Sequence, residues 1–220
     1  MFWVVVSALL SIVLVRTPVF ADPGYEVLVF KAQRRLVVRH EGHTIRTYPV
    51  SLGRSPEGPK EAFGDMKTPV GRYRIYDKRP STKFHLFLAI NYPELADAER
   101  AFQAGRISAD VWADIWYASV RRERPPWNTP LGAFVGIHGT GAQGRKARLR
   151  EVSDWTEGCI ALSDRHIEEL YALIPVGTPV EIIEGEVPRP AGTDSPAEVV
   201  VNGNGENRPL PKDVAAGIAQ

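Results

Sequence analysis

Two short motifs contain the residues best suited to covalent chemistry. His138-Gly139 follows the apolar run Ala133 to Ile137, and Thr156-Glu157-Gly158-Cys159 follows further along the chain. A thiolate is the nucleophilic form of cysteine, but a free thiol with a pKa of about 8.5 is mostly protonated at neutral pH. A neighbouring imidazole accepts that proton and later returns it to a leaving amine. We therefore predict that two short strands bring His138, as base, within hydrogen-bond reach of Cys159, as nucleophile.

The glycine before the cysteine has a predicted role in the same chemistry. Gly158 lacks a Cβ atom, so the backbone can bend tightly there and a substrate can come close. The amides of Gly158 and Cys159 are then expected to face a developing oxyanion. One such donor contributes about 3 kcal/mol in a transition state.

Cys159 is the single cysteine of the chain, which excludes an internal disulfide. A lone cysteine in an exported protein indicates an intermolecular bond or a reactive thiol. The alternative is a small buried hydrophobic side chain. The ordered set of His-Gly and Thr-x-Gly-Cys favours the reactive thiol.

The N-terminal segment is typical of an export signal. An apolar run from Phe2 to Val15 is interrupted by only two serines, and Ala21 precedes Asp22 at a plausible cleavage point. The run is shorter than the roughly 20 residues that span a bilayer, although no Lys or Arg precedes it. We expect residues 1–21 to be a signal peptide or retained anchor, or alternatively a buried N-terminal helix. Export predicts a location in the periplasm or cell envelope.

Composition narrows the possible partners. The formal net charge is +1 and 44% of the residues are hydrophobic, so no overall field favours nucleic acid or an anionic membrane. We expect no nucleic-acid partner, and membrane contact only through an uncleaved N-terminal segment. Residues 185–220 are rich in Pro, Gly, Asn, Asp and Glu, a composition that predicts a disordered tail.

Between these ends, the pattern predicts a mainly β domain with peripheral helices, an α+β fold. A Gly/Pro-rich loop is expected at 53–69 and a helical insertion at 94–124, with Ser108 capping its second helix. A basic loop is expected at 141–150, and a helix capped by Ser163 or Asp164 after it. Strands are predicted at Glu26–Phe30, Arg35–Arg39, Thr44–Leu52, Arg72–Tyr76, Phe84–Asn91, Ala133–Ile137, Cys159–Leu162 and Val180–Ile183.

The two motifs together resemble the signature of the L,D-transpeptidase (YkuD-type) catalytic domain family. Gly64-Asp65-Met66-Lys67-Thr68-Pro69-Val70-Gly71, followed by Tyr73 and Ile75, is similar to the early strand-loop-strand of that family. Asp154 to Leu162 is most similar to its YafK-like branch. The resemblance covers about Glu26 to Ile183 and implies one catalytic domain over residues 25–184, a β-sandwich with a helical insertion.

The resemblance also implies roles for individual residues. Cys159 matches the nucleophile, His138 the base, and Gly139 the residue whose carbonyl orients the imidazole. Substrate-binding positions are implied at Thr156, Glu157, Gly158 and Ile160. No cofactor and no metal are implied. A metal site formed by His138, Cys159, Asp164 and His166 is an alternative, although its spacing fits no compact zinc pattern.

Two positions depart from the family pattern. Many members have His where Glu157 stands, and Arg or Asn where Ala161 stands. The basic residues Arg145, Lys146, Arg148 and Arg150 are candidates to pair with peptide carboxylates instead. A solvated loop is the alternative explanation for them.

The function implied by the resemblance is peptidoglycan modification. Cys159 would form a thioester with the diaminopimelate carbonyl of a stem peptide and transfer it to an acceptor amine, crosslinking the wall or attaching a protein to it. A hydrolase or amidase of the same fold, which releases proteins or peptides from peptidoglycan, is the first alternative. A non-catalytic cell-wall binding module with an inert thiol is the second.

Overall fold

Alternating β-branched and apolar residues produce the strands of the domain. The computed structural model describes residues 24–142 and 144–185. The predicted export segment at 1–21 lies outside these residues, as does the predicted tail apart from Gly185. The described strands are β1 (Tyr25–Phe30), β2 (Arg35–His40), β3 (His43–Pro49), β4 (Gly71–Ser81), β5 (His85–Ile90), β6 (Gly136–His138), β7 (Ile160–Ala161) and β8 (Pro179–Ile183).

These strands form one sheet in the order β3-β2-β1-β8-β4-β5-β6-β7. The pairs β1–β8 and β6–β7 are parallel, and the other neighbours are antiparallel. Ser51, just after β3, pairs with Ala161 of β7 through two backbone hydrogen bonds of 2.9 and 2.8 Å. The sheet therefore curls until its two ends meet, and the two-residue strand β7 is hydrogen-bonded on both sides.

Four helices lie around the sheet in the described residues: α1 (Leu95–Gln103), α2 (Ala109–Arg121), α3 (Gly144–Glu151) and α4 (Asp164–Leu173). The two helices predicted within 94–124 are present, and Ser108 caps α2 by accepting a hydrogen bond from the Val111 amide. Ser163 caps α4 in the same way through the His166 amide. None of the helices in the described ranges is long and apolar enough to span a membrane.

The segment at 144–151 corrects the sequence analysis, which predicted a loop there. Its residues form α3, although no α3 residue is buried. A helix without an apolar face leaves no periodic signal, so hydrophobic patterning could not identify it.

The hydrophobic core lies between the concave face of the sheet and the helices. Fully buried side chains come from β1, β2, β4, β5, β6, β7 and β8, and include Val27, Val29, Leu36, Val38, Ile75, Leu88, Ile137 and Ile160. From the helices, Ala98, Ala101, Ile115, Ile167 and Leu170 pack against them. The architecture is thus mainly β with peripheral helices, as predicted.

Candidate active site

The imidazole of His138 is fixed at the end of β6. The residue is 1% exposed, and Nδ1 lies 2.7 Å from the carbonyl oxygen of Gly139. A carbonyl oxygen only accepts hydrogen bonds, so Nδ1 carries the proton and donates it. The lone pair therefore resides on Nε2, which is the nitrogen that can act as a base.

Aromatic rings enclose this imidazole. The Phe84 ring stacks on it with centroids 4.0 Å apart, and the Trp155 ring meets it edge-on at 5.7 Å. Burial lowers the pKa of His138 to about 4 even though the Gly139 hydrogen bond opposes the shift, and the charges of Arg150 and Lys83 lower it further. His138 is therefore neutral at physiological pH and able to accept a proton.

Strand register places Cys159 on the same face of the sheet as His138. In the parallel pair β6–β7, His138 pairs with Ala161 and Ile137 pairs with Ile160. Paired residues point to the same face, and successive residues along a strand alternate. Cys159, two positions before Ala161, therefore shares the His138 face, where it is half-buried.

The thiol itself is oriented differently from the prediction. Sγ donates to the carbonyl oxygen of Phe134 at 3.6 Å, and these two described side chains, Cys159 and His138, share no hydrogen bond in this conformation. Catalytic hydrogen bonds are often long or absent before substrate binds.

The thiol is protonated in this state. Burial raises the pKa of Cys159 to about 11, and the Glu157 charge raises it too, while the Gly136 amide and the charges of Lys60 and Lys83 act in the opposite direction. A neutral thiol thus lies beside a neutral imidazole. This arrangement fits proton transfer during attack rather than a preformed ion pair.

A tight turn presents the cysteine. Thr156 Oγ1 donates to the Cys159 carbonyl at 2.7 Å and accepts from the Gly158 amide at 3.1 Å. Gly158 has φ +130°, and a Cβ there would lie 2.6 Å from the Lys67 carbonyl oxygen. Only glycine fits this position. Because the Gly158 amide already bonds to Thr156, the Cys159 amide is the remaining donor of the two considered for an oxyanion.

Other predicted substrate positions have different surroundings. Ile160 is a correction: it is fully buried in the core, because strand alternation turns it away from Cys159. Thr156 is also buried and braces the turn, whereas Glu157 is exposed. Ala161 is 2% exposed, and its backbone is hydrogen-bonded to that of Ser51.

Of the four basic residues considered for carboxylate binding, Arg150 is the one next to the site. Its guanidinium lies 4.0 Å from the centre of the Trp155 ring and donates to the Thr140 carbonyl. Arg145, Lys146 and Arg148 are exposed on α3. Arg150 is therefore the best-placed cation for an anionic group bound near His138.

The loop after His138 is held by Asp164 at the start of α4. Asp164 Oδ1 accepts from Thr140 Oγ1 at 3.0 Å and from the Gly141 amide at 2.9 Å. The His166 ring instead packs against Tyr48, with centroids 5.2 Å apart. Within residues 24–142 and 144–185, no group of three or more His, Cys, Asp or Glu side chains is arranged to bind a metal.

Sequence reasoning missed several residues around the site. Phe84, Phe134 and Lys83 belong to strands or loops whose patterns gave no catalytic signal, and Lys60 lies in the Gly/Pro-rich loop. Exposed hydrophobic surface, which only the structure reveals, marks one of these residues: Phe134 is 46% exposed beside the thiol.

Comparison with known proteins identifies the family. Residues 24–182 match the YkuD family, the L,D-transpeptidase catalytic domain. The match covers well over half of the 220 residues, so the chain belongs to this family. The family model describes a catalytic domain. No curated protein matches the chain.

Several solved structures are similar to the chain at low sequence identity. Bd1075 from Bdellovibrio bacteriovorus is 22% identical, with a TM-score of 0.49 over 75% of this chain and 49% of that chain. A mutant of the helical cell shape determining protein Pgp2 from Campylobacter jejuni is 22% identical, with a TM-score of 0.50 over 76% of this chain and 49% of that chain. L,D-transpeptidase 3 from Mycobacterium tuberculosis is 17% identical, with a TM-score of 0.42 over 74% and 61%. The chain spans about half the length of the first two structures.

Proposed function

We propose that the protein is an exported L,D-transpeptidase that joins peptidoglycan stem peptides to an acceptor amine. The single observation that carries this proposal is the β6–β7 register, in which His138 pairs with Ala161, two residues after Cys159. Family membership supports the choice of substrate class. Residues 25–184 would form the catalytic domain, in the periplasm or cell envelope.

The reaction begins with attack by Cys159. As Sγ bonds to the carbonyl carbon of diaminopimelate, the thiol proton passes to Nε2 of His138. The carbonyl oxygen becomes an oxyanion, toward which the Cys159 amide is the candidate donor. When the C–N bond breaks, the imidazolium returns the proton to the departing D-amino acid, and a thioester remains.

The second half reverses the proton movements. An acceptor amine attacks the thioester carbonyl, and Nε2 removes one of its protons. The C–S bond then breaks, the thiolate is reprotonated by the imidazolium, and a new amide bond is released. Water can take the place of the amine in the same step, which would make the protein a hydrolase.

Arg150 has a role in holding the substrate in this proposal. Stem peptides carry free carboxylates near the reacting carbonyl, and a guanidinium binds a carboxylate through two parallel hydrogen bonds. The Trp155 ring and the Thr140 carbonyl hold Arg150 near His138 before substrate arrives. Its position supports recognition of an anionic peptide.

The products of defined muropeptides test the proposal. Purified protein is incubated with a tetrapeptide donor and an amine acceptor, and crosslinked and hydrolysed products are counted by mass spectrometry. We expect crosslinked product, and none with Cys159→Ser. Hydrolysed product without crosslinked product would show that the protein is a hydrolase and not a transferase. An unchanged donor together with an unreactive thiol would favour a binding module.

A further inference from the structure

A buried lysine lies beneath the turn that carries the nucleophile. Lys60, in the loop between β3 and β4, has a side chain only 5% exposed. Its Nζ donates to Asp65 Oδ1 at 2.7 Å and to the Ala62 carbonyl at 3.0 Å. A charged amine is costly to bury unless it is paired in this way.

Asp65 fixes this ammonium in place. Its carboxylate also accepts from the amides of Glu61, Ala62 and Lys67 at 2.7, 3.0 and 3.0 Å. Burial alone would raise the pKa of Asp65, but the hydrogen bonds from Lys60 and the three amides lower it. Four hydrogen bonds therefore hold the Asp65 carboxylate, one of them from Lys60.

The ammonium of this pair lies close to Gly158, the residue before the nucleophile. Lys60 Nζ is 3.7 Å from the point that a Cβ on Gly158 would occupy, and the Lys67 carbonyl is 2.6 Å from it. A Cβ at Gly158 would clash with the Lys67 carbonyl but would only be in ordinary contact with the ammonium. Among the charges that act on the Cys159 thiol, Glu157 is exposed, and Lys83 lies over the Phe84 ring. Lys60 is the buried one, so solvent screens it least.

We propose that Lys60 is a positioning residue for the nucleophile, and that its ammonium stabilises the negative charge that develops at Cys159. Asp65 sets the strength of this effect, because its carboxylate partly cancels the ammonium at the sulfur. The inference rests on the proposed role of Cys159. The ammonium gains and loses no proton in the reaction, since the thiol proton passes to His138.

Two substitutions that break the same ion pair test the proposal by the direction of their effects. Lys60→Met removes the cation, whereas Asp65→Asn removes the opposing charge and keeps an acceptor for Nζ. At about pH 7, the rate of Cys159 alkylation by iodoacetamide is expected to fall about tenfold in K60M and to rise about two- to threefold in D65N. Both variants are expected to melt at lower temperature than the parent protein.

A structural role would give a different pattern. Loosening of the loop would change the alkylation rate in the same direction in both variants, in step with their melting temperatures, and this result would overturn the proposal. Thr68→Val is the matched control, because it removes the hydrogen bond from the Gly53 amide (2.9 Å) in the same loop without changing charge. We expect T68V to change the rate less than about twofold.

Alkylation needs no peptide substrate, so its result is separate from that of the muropeptide assay. Opposite shifts in K60M and D65N would support the role of Lys60 even if the protein failed to crosslink muropeptides. Restoration of most of the rate by Lys60→Arg, which returns a cation, completes the expected pattern, and an Arg variant as slow as K60M would contradict it.

Discussion

At the scale of single residues, the site combines two neutral groups. Burial holds the pKa of His138 at about 4 and that of Cys159 at about 11. At neutral pH the thiol proton therefore stays on Cys159 in this state. This protects the sulfur from reactions that require a standing thiolate.

The pH dependence of thiol reactivity follows from this state. The rate of Cys159 alkylation should rise about tenfold per pH unit from about pH 7 to pH 10, because the thiolate fraction rises in that proportion below the pKa. Stopped or quenched alkylation followed by intact mass measures it. A plateau that begins near neutral pH would indicate a thiolate–imidazolium pair and contradict the account.

Gly158 gives a second prediction at this scale. Gly158→Ala should lower the free energy of unfolding by about 3 kcal/mol, since it combines an unfavourable φ with a clash against Lys67. Gly42→Ala is the control: its φ is +79°, but nothing lies within 4 Å of the added Cβ. It should cost only about 1 kcal/mol. Chemical denaturation compares the two, and equal losses would mean that the close contact is unimportant.

At the scale of elements, a second buried lysine connects the end of β1 to the Gly/Pro-rich loop between β3 and β4. Lys31 is 1% exposed, and its Nζ donates to the carbonyls of Gly58 and Thr68 and to Glu184 at 2.6, 3.1 and 2.7 Å. Burial lowers the pKa of Lys31, and the Glu184 carboxylate opposes that shift. One side chain thereby connects β1, the 53–70 loop and the end of β8.

Loss of this connection should destabilise the loop. Lys31→Met removes the donor to two carbonyls and to the Glu184 carboxylate, which keeps its hydrogen bond from the Gly58 amide. The substitution should cost about 3 kcal/mol. Glu184→Gln, which keeps an acceptor at the half-exposed end, should cost about 1 kcal/mol. Urea denaturation measures both values. If the two variants lost the same stability, the buried carbonyl contacts would not carry the effect.

Sequence patterns predicted the elements that have a hydrophobic period. The strands were predicted from runs of β-branched and apolar residues. Helix α4 was predicted because Ile167 and Leu170 repeat at helical spacing. Ser108 was predicted as the cap of α2 from its position before Ala109 and Asp110. Helix α3 was not predicted because its residues are mostly basic and exposed, so the helix has no apolar face. Ile160 was misassigned although alternation from Cys159 already placed it on the other face.

The long-range contacts of the site could not be predicted from the sequence. The Lys60–Asp65 pair reaches Gly158 only because the loop folds under the turn, and no spacing along the chain encodes that approach. The same is true of Phe84, which joins the site through β5–β6 pairing. Motifs predicted the candidate reacting groups, whereas the fold determines their surroundings.

At the scale of the whole molecule, two buried groups give stability an opposed dependence on pH. The pKa of His138 is lowered from 6.5 to about 4, so its contribution to stability is present above 6.5 and lost as pH falls toward 4. Burial raises the pKa of Asp97 from 3.8 to about 6, against its bonds to the Glu94 amide and Arg100. Its contribution is present below 3.8 and lost as pH rises through 6.

Removal of each group should therefore change, in opposite directions, how steeply the free energy of unfolding falls between pH 6.5 and pH 4. His138→Gln should make the loss of stability between pH 6.5 and 4 shallower, and Asp97→Asn should make it steeper, each by about 3 kcal/mol at most. Urea denaturation at a series of pH values measures the slopes. A change in the same direction for both variants would show that these groups do not control acid stability.

Formation of an acyl-enzyme is the most direct test of the central claim, that His138 activates Cys159. Purified protein is mixed with a stem tetrapeptide donor without acceptor, and its intact mass is followed with time. We expect one adduct, equal to the donor less its terminal D-amino acid, on Cys159 of the parent protein. Folded H138Q should acylate at least about a hundredfold more slowly. Acylation of H138Q at the parental rate, or an adduct on another residue, would contradict the account.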